Sequence, residues 1–98
     1  MSALPFSLPQ AFVSQDERRH YTGAVKCAFG VALRKARIAA GLTQEVLARK
    51  ACVDWTYVSL LERGLRQPTI FTFLALSDAL RLQPTLLITE TCAELLRR

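Results

Sequence analysis

The chain has 1 histidine, 3 cysteines, 4 glycines and 4 prolines in 98 residues, and each shortage excludes something. Cys27, Cys52 and Cys92 are odd in number, far apart and without a C-x-x-C pair. With only His20 beside them they make neither a disulfide framework nor a zinc site, and they read as reduced thiols in a cytosolic protein. A lone histidine without an acidic partner at a recognisable spacing, with no glycine-rich phosphate loop and no carboxylate cluster, leaves no constellation for chemistry. The expectation is a protein that is not an enzyme and takes no metal and no cofactor. Long apolar runs are missing too: hydrophobic residues make up 51% of the chain, yet no run approaches the roughly 20 residues needed to cross a bilayer. The opening "MSALPFSLPQAFVSQDERRHY" lacks a basic segment followed by a long apolar core, so it does not read as a signal peptide. A soluble, cytoplasmic chain without a membrane partner is expected.

What is present is basic charge and helical periodicity. Thirteen Lys and Arg against eight Asp and Glu leave a net charge of +5, which favours a polyanionic partner such as nucleic acid. The length has room for one domain. Pro5 and Pro9 among small and apolar residues without a helical period predict a flexible arm over 1–13, followed by a domain over 14–98. Ser14 and Glu17 have the spacing of a capping box, and no proline interrupts the chain from there to Ala40. Val25, Phe29, Ala32, Leu33, Ala36 and Ala40 then form one apolar stripe on a helix ended by Gly41. Gly23 and Gly30 weaken that helix, and Gly23 can divide off a short leading helix. Thr43 and Asp54 cap two short helices whose Leu47, Ala48, Val58 and Leu61 point inward, and Gly64 closes the second. Thr69 caps a fourth, with Ile70, Phe73, Leu74, Leu76, Ala79 and Leu80 on its buried face. Pro84 opens a last helix over 84–97, striped by Leu87, Ile88, Cys92, Leu95 and Leu96. No stretch alternates as a strand does. The fold class is all-α, with five core helices.

The unit over 43–62 has two short amphipathic helices joined by only three or four residues, the spacing of a helix-turn-helix, whose second helix enters the DNA major groove. Val58 and Leu61 plug that helix into the core and leave Trp55, Thr56, Ser59 and Leu60 directed outward, with Tyr57 on the flank. Thr56 and Ser59 can hydrogen-bond base edges or phosphates, and Leu60 can meet a thymine methyl.

Three linked motifs, "FGVALRKARIAAGLTQEVLA", "VSLLERGLRQPT" and "LALSDALRLQPTLL", resemble the lambda-repressor-like family of helix-turn-helix regulators, also called Xre or Cro type. Arg37, Thr43 with Gln44, Val58 to Gly64, and Pro68 with Thr69 match the family pattern in order and spacing, and "DWTYVSLLER" resembles the third helix of restriction-modification controller proteins. The resemblance implies a semi-buried ion pair between Arg37 and Glu62, and a phosphate held by Gln44 at a helix N-terminus. It further implies a transcriptional regulator that binds a short double-stranded DNA operator as a homodimer. Cys52 departs from the pattern, since relatives usually carry glycine in that turn. A left-handed backbone at Cys52 costs about 1 kcal/mol, and a small buried filler is the expected role for its side chain. The outward face is also unusually apolar at Trp55 and Leu60.

Blander alternatives stand beside these roles. Trp55 is a DNA contact, a partner contact or a cover over the loop. Tyr57 reaches a phosphate or simply packs. Arg34, Lys35, Arg49, Lys50, Arg63 and Arg66 line the phosphate backbone or form a solvated basic face, with Arg63 and Arg66 preferred as contacts because they follow the outward helix. The rival to DNA binding is a protein-binding antiactivator or antitoxin that grips its partner through the third helix. For the dimer, Ile88, Cys92, Leu95 and Leu96 are the expected interface, unless that stripe folds back onto residues 14–21.

Overall fold

Ser14 opens the first helix, its Oγ accepting the backbone N–H of Glu17 at 3.0 Å. The computed structural model describes residues 14–97, and the expected arm at 1–13 lies outside the described residues. Helix α1 (Gln15–Ala39) then runs for 25 residues without a break, about 37 Å at the usual rise. Gly23 therefore does not divide off a leading helix. Its flanking residues keep the helical ladder, and one glycine costs only about 1 kcal/mol there. Helices α2 (Gln44–Ala51), α3 (Trp55–Glu62), α4 (Ile70–Ala79) and α5 (Pro84–Leu96) follow, with no strand among the described residues. Thr43 and Thr69 each accept an N–H from the first turn of their helices, at 3.1 Å in both cases. Asp54 occupies the N-cap position of α3 with extended backbone, yet its side chain makes no capping bond.

One device joins the helices. After each of α1, α2, α3 and α4 stands a residue with left-handed backbone: Gly41, Cys52, Gly64 and Arg81. The N–H of the next residue then reaches back five positions, Leu42 to Arg37, Val53 to Ala48, Leu65 to Leu60 and Leu82 to Ser77, at 2.9–3.2 Å. These are Schellman closures, which satisfy carbonyls at a helix end and favour an apolar residue after the left-handed one. Leu42, Val53 and Leu82 pack on the core accordingly, whereas Leu65 stays exposed. Cys52 is exposed and therefore not a buried filler. What the turn demands of it is backbone conformation, at φ 58°.

The core is built from one leucine of each helix, Leu33, Leu47, Leu61, Leu76 and Leu87, all at 0% exposure. Each contributes on the order of 1.5–3 kcal/mol by leaving water. Val58 joins them, and Phe29 meets Phe73 with ring centroids 5.9 Å apart. The backbones of α1 and α3 approach so closely at Gly30 that a Cβ there would lie 2.6 Å from the Leu61 carbonyl oxygen.

Two expected faces are corrected. On α4, Phe73, Leu76 and Leu80 are buried and Ala79 half-buried, but Ile70 and Leu74 face outward, at 77% and 47% exposure. Apolar residues predominate in "IFTFLALSDA", so composition does not distinguish its sides, and the polar Ser77 lies on the inner one. Its hydroxyl is satisfied by the Phe73 carbonyl at 2.9 Å. On α5 the innermost line is Leu87, Thr91 and Glu94. Ile88 and Leu96 are exposed, while Cys92 and Leu95 are half-buried. Ala40, at the end of α1, is exposed as well.

Glu94 tolerates its position because Lys35 of α1 donates to it at 2.7 Å and Arg97 at 2.6 Å. The Lys35 hydrogen bond is the main reason its carboxyl titrates below the ordinary 4.5; desolvation opposes this and Arg97 assists. Nearby, burial raises the Cys92 thiol, and burial followed by the neighbouring Cys92 raises the Tyr21 hydroxyl.

Candidate nucleic-acid interface

Helices α2 and α3, with the loop after α3, form the candidate surface. Val58 and Leu61 anchor α3 inward at 0% exposure, which turns Trp55 and Thr56 to solvent and leaves Ser59 and Leu60 half-exposed. The Thr56 and Ser59 hydroxyls carry no hydrogen bond among the described residues.

Behind this face lies a chain of polar contacts. Arg37 forks onto Glu62, Nε to Oε2 at 2.6 Å and Nη2 to Oε1 at 3.1 Å, with side-chain exposures of 11% and 3%. Its Nη1 donates to the Leu42 carbonyl at 2.9 Å, which ties the end of α1 to the start of the helix-turn-helix. Gln44 Nε2 donates to the same Glu62 carboxylate at 3.0 Å, and Trp55 Nε1 donates to Gln44 Oε1 at 3.4 Å. A fully served carboxylate is the arrangement in which a buried pair is tolerated, although the pair is not thereby a net source of stability. Gln44 thus has its amide oxygen and one N–H engaged inside the protein, leaving one amide N–H for a ligand.

Arg63 and Arg66 are both exposed on the segment after α3. That segment is held by Tyr57, whose hydroxyl donates to the Gln67 carbonyl at 3.2 Å while its ring packs on the core. Tyr57 is thus a tether for the loop that carries the two arginines. The sequence offers no signal for this contact, because its acceptor is a backbone carbonyl ten residues on. Arg34, Arg49 and Lys50 are exposed, but Lys35 is paired with Glu94 across the α1–α5 joint. No group of three or more His, Cys, Asp or Glu residues that could hold a metal occurs among the described residues. No described helix is long and apolar enough to cross a membrane.

A family model described as Helix-turn-helix, HTH_3, matches residues 33–87. The uncharacterized HTH-type transcriptional regulator y4dJ of Sinorhizobium fredii (strain NBRC 101917 / NGR234) is 41% identical over 51 residues, 52% of this chain and 66% of that protein. The chain thus spans just under two thirds of that relative's length. Among solved structures, the restriction-modification controller protein C.AhdI from Aeromonas hydrophila superposes with a TM-score of 0.62 at 40% identity, over 63% of this chain and 94% of its own. The controller protein C.Esp1396I, solved as a tetramer in complex with its natural 35 base-pair operator, has a TM-score of 0.68 at 29% identity, over 74% of this chain and 95% of its own.

Proposed function

The chain belongs to the helix-turn-helix family HTH_3, and on that premise we propose that it binds a short double-stranded DNA operator and regulates transcription, with α3 in the major groove. The observation that carries this reading is the division of α3: an inner side locked by Val58, Leu61 and the Glu62 network, and an outer side of Trp55, Thr56, Ser59 and Leu60 followed at once by exposed Arg63 and Arg66. The related controller protein in complex with its operator supports the same partner class. Thr56, Ser59, Trp55 and Leu60 meet base edges; Arg63 and Arg66 meet phosphates; Tyr57 holds their loop; Gln44 offers its remaining N–H to a phosphate at the start of α2. The protein acts in the cytoplasm without catalysis or cofactor.

It works as a homodimer. One helix-turn-helix reads only a few base pairs, and two copies about 34 Å apart are the usual route to specificity. Of the expected interface residues, Ile88 and Leu96 are exposed. Apolar exposure continues from Ile88 across a groove of about 340 Å³ to Ile70 and Leu74 of α4, with Phe71 beside it at 80% exposure. We therefore centre the interface on Ile88 and extend it to α4, with Cys92, Leu95 and Leu96 at its margin.

Selection from a random duplex library, followed by titration at several salt concentrations, tests the reading. Arg66→Ala lowers the salt slope by about 1 and weakens all sequences alike, whereas Thr56→Ala costs roughly 1–3 kcal/mol on the selected operator and little elsewhere. Failure to enrich any duplex sinks the DNA reading. It would favour the rival, a protein-binding antiactivator or antitoxin, whose motive is the apolar pair Trp55 and Leu60 on α3.

A further inference from the structure

We propose that α3 recognises the C5-methyl group of pyrimidines in the major groove through Trp55 and Leu60, an inference that rests on reading α3 as the groove-entering helix. The outer side of this helix is unusual in what it offers. Trp55, Thr56, Ser59 and Leu60 include no amide, guanidinium, ammonium or carboxylate group. The bidentate purine readers, Arg or Lys on guanine and Asn or Gln on adenine, are therefore absent from it. The nearest amide, Gln44, does not replace them. Adenine needs an amide oxygen and an amide N–H presented together, and the Gln44 oxygen already accepts from Trp55 while its nitrogen donates to Glu62.

That same contact changes what Trp55 presents. The indole has one polar atom, Nε1, and it is engaged by Gln44 at 3.4 Å, so what the side chain of Trp55, a residue 55% exposed, offers a ligand is chiefly ring carbon. Leu60 adds further carbon on the same helix, half-exposed. The only apolar group a base pair displays in the major groove is the methyl at pyrimidine C5, on thymine and equally on 5-methylcytosine. Five residues of helical rise separate Trp55 from Leu60, about 7.5 Å, or roughly two base-pair steps. Two methyl-bearing positions within two or three base pairs of each half-site are expected, flanking whatever Thr56 and Ser59 hydrogen-bond.

Deoxyuridine differs from thymidine only by that methyl, which makes the test direct. In the duplex enriched by selection, each thymine is replaced singly by deoxyuridine and affinity is measured by fluorescence anisotropy. One or two positions per half-site should lose roughly 4-fold each, the effect of one buried methyl. At those positions a 5-methylcytosine·guanine pair should bind about 4-fold better than an unmethylated cytosine·guanine pair, the same methyl increment. Trp55→Ala should abolish the thymine-to-deoxyuridine difference at one position and Leu60→Ala at the other; circular dichroism checks that each variant is folded. Uniform indifference to deoxyuridine in a tightly bound operator overturns the methyl reading and leaves DNA binding intact. Deoxyuridine losses that persist unchanged in both variants assign the methyl contacts to other residues and also overturn it. A chain that enriches no duplex removes this inference together with the function on which it rests.

Discussion

Gly23 and Gly30 lie two turns apart on α1 and face opposite circumstances. A Cβ at Gly23 meets nothing within 4 Å, whereas one at Gly30 meets the Leu61 and Glu62 carbonyl oxygens at 2.6 and 2.7 Å. The same substitution should therefore act with opposite sign. Gly23→Ala should stabilise by up to about 1 kcal/mol through helix propensity, and Gly30→Ala should destabilise by about 1–3 kcal/mol because backbone cannot yield as a side chain can. Urea titration of both variants checks the pair, and a Gly30→Ala variant as stable as wild type or more so would refute the close approach of α1 and α3. Cys52 offers a second test. At φ 58° and ψ 43° it holds a left-handed conformation that glycine adopts without penalty, so Cys52→Gly should raise stability by roughly 1 kcal/mol. A lower denaturation midpoint would mean that the cysteine side chain contributes a contact.

Between elements, Arg37, Gln44 and Trp55 all converge on Glu62 or on its partner, linking α1, α2 and α3 through one carboxylate. Removing Glu62 strands a buried guanidinium, and removing Arg37 strands a carboxylate; each should cost about 3–5 kcal/mol. The double variant Arg37→Ala, Glu62→Ala should lose clearly less than the sum, because neither charge is then left alone. A cycle with no coupling would contradict the fork. The α1–α5 joint has a pH signature instead. Because Lys35 and Arg97 lower the Glu94 carboxyl below 4.5 in the native state, its contribution is fully present above that value and is lost as pH falls through the lowered native one. Wild type should exceed Glu94→Gln in stability at neutral pH, and the gap should close below about pH 4.5. A gap that persists into acid would assign it to packing.

At the scale of the molecule, Ile70, Phe71, Leu74 and Ile88 are an apolar surface that one copy leaves uncovered. Two-fold pairing would bury it against itself and set both α3 helices on one side. Phe71→Glu with Ile88→Glu should give a folded monomer by sedimentation with much weaker operator binding, since both side chains are exposed and the core does not need them. A folded dimer would move the interface elsewhere. Leu95→Asp with Leu96→Asp then tests the end of α5, although Leu95 is half-buried and its loss also strains the monomer.

What the sequence determined by itself is local. Ser14, Thr43, Thr69 and Pro84 mark helix starts because a cap acts within one turn of its own chain, and Gly41 and Gly64 mark ends because their left-handed backbone is written in the residue type. The helix-turn-helix and the outward set on α3 were legible for the same reason: Val58 and Leu61 fix which side is inner. Only the tertiary structure decided the rest. The inner line of α5 contains Thr91 and Glu94, residues that composition assigns to solvent, because the Glu94 partner Lys35 lies 59 positions away. Arg81 takes a left-handed turn that nothing in its residue type announces. Gln44 reads as a free phosphate ligand until Glu62 and Trp55, 18 and 11 positions on, are seen to engage its amide. Gly30 reads as a weakness in α1 until α3 is laid against it. Each of these depends on which atoms of a distant segment come within about 3 Å, a distance that hydrogen bonds and hard-core repulsion set and that no local pattern encodes.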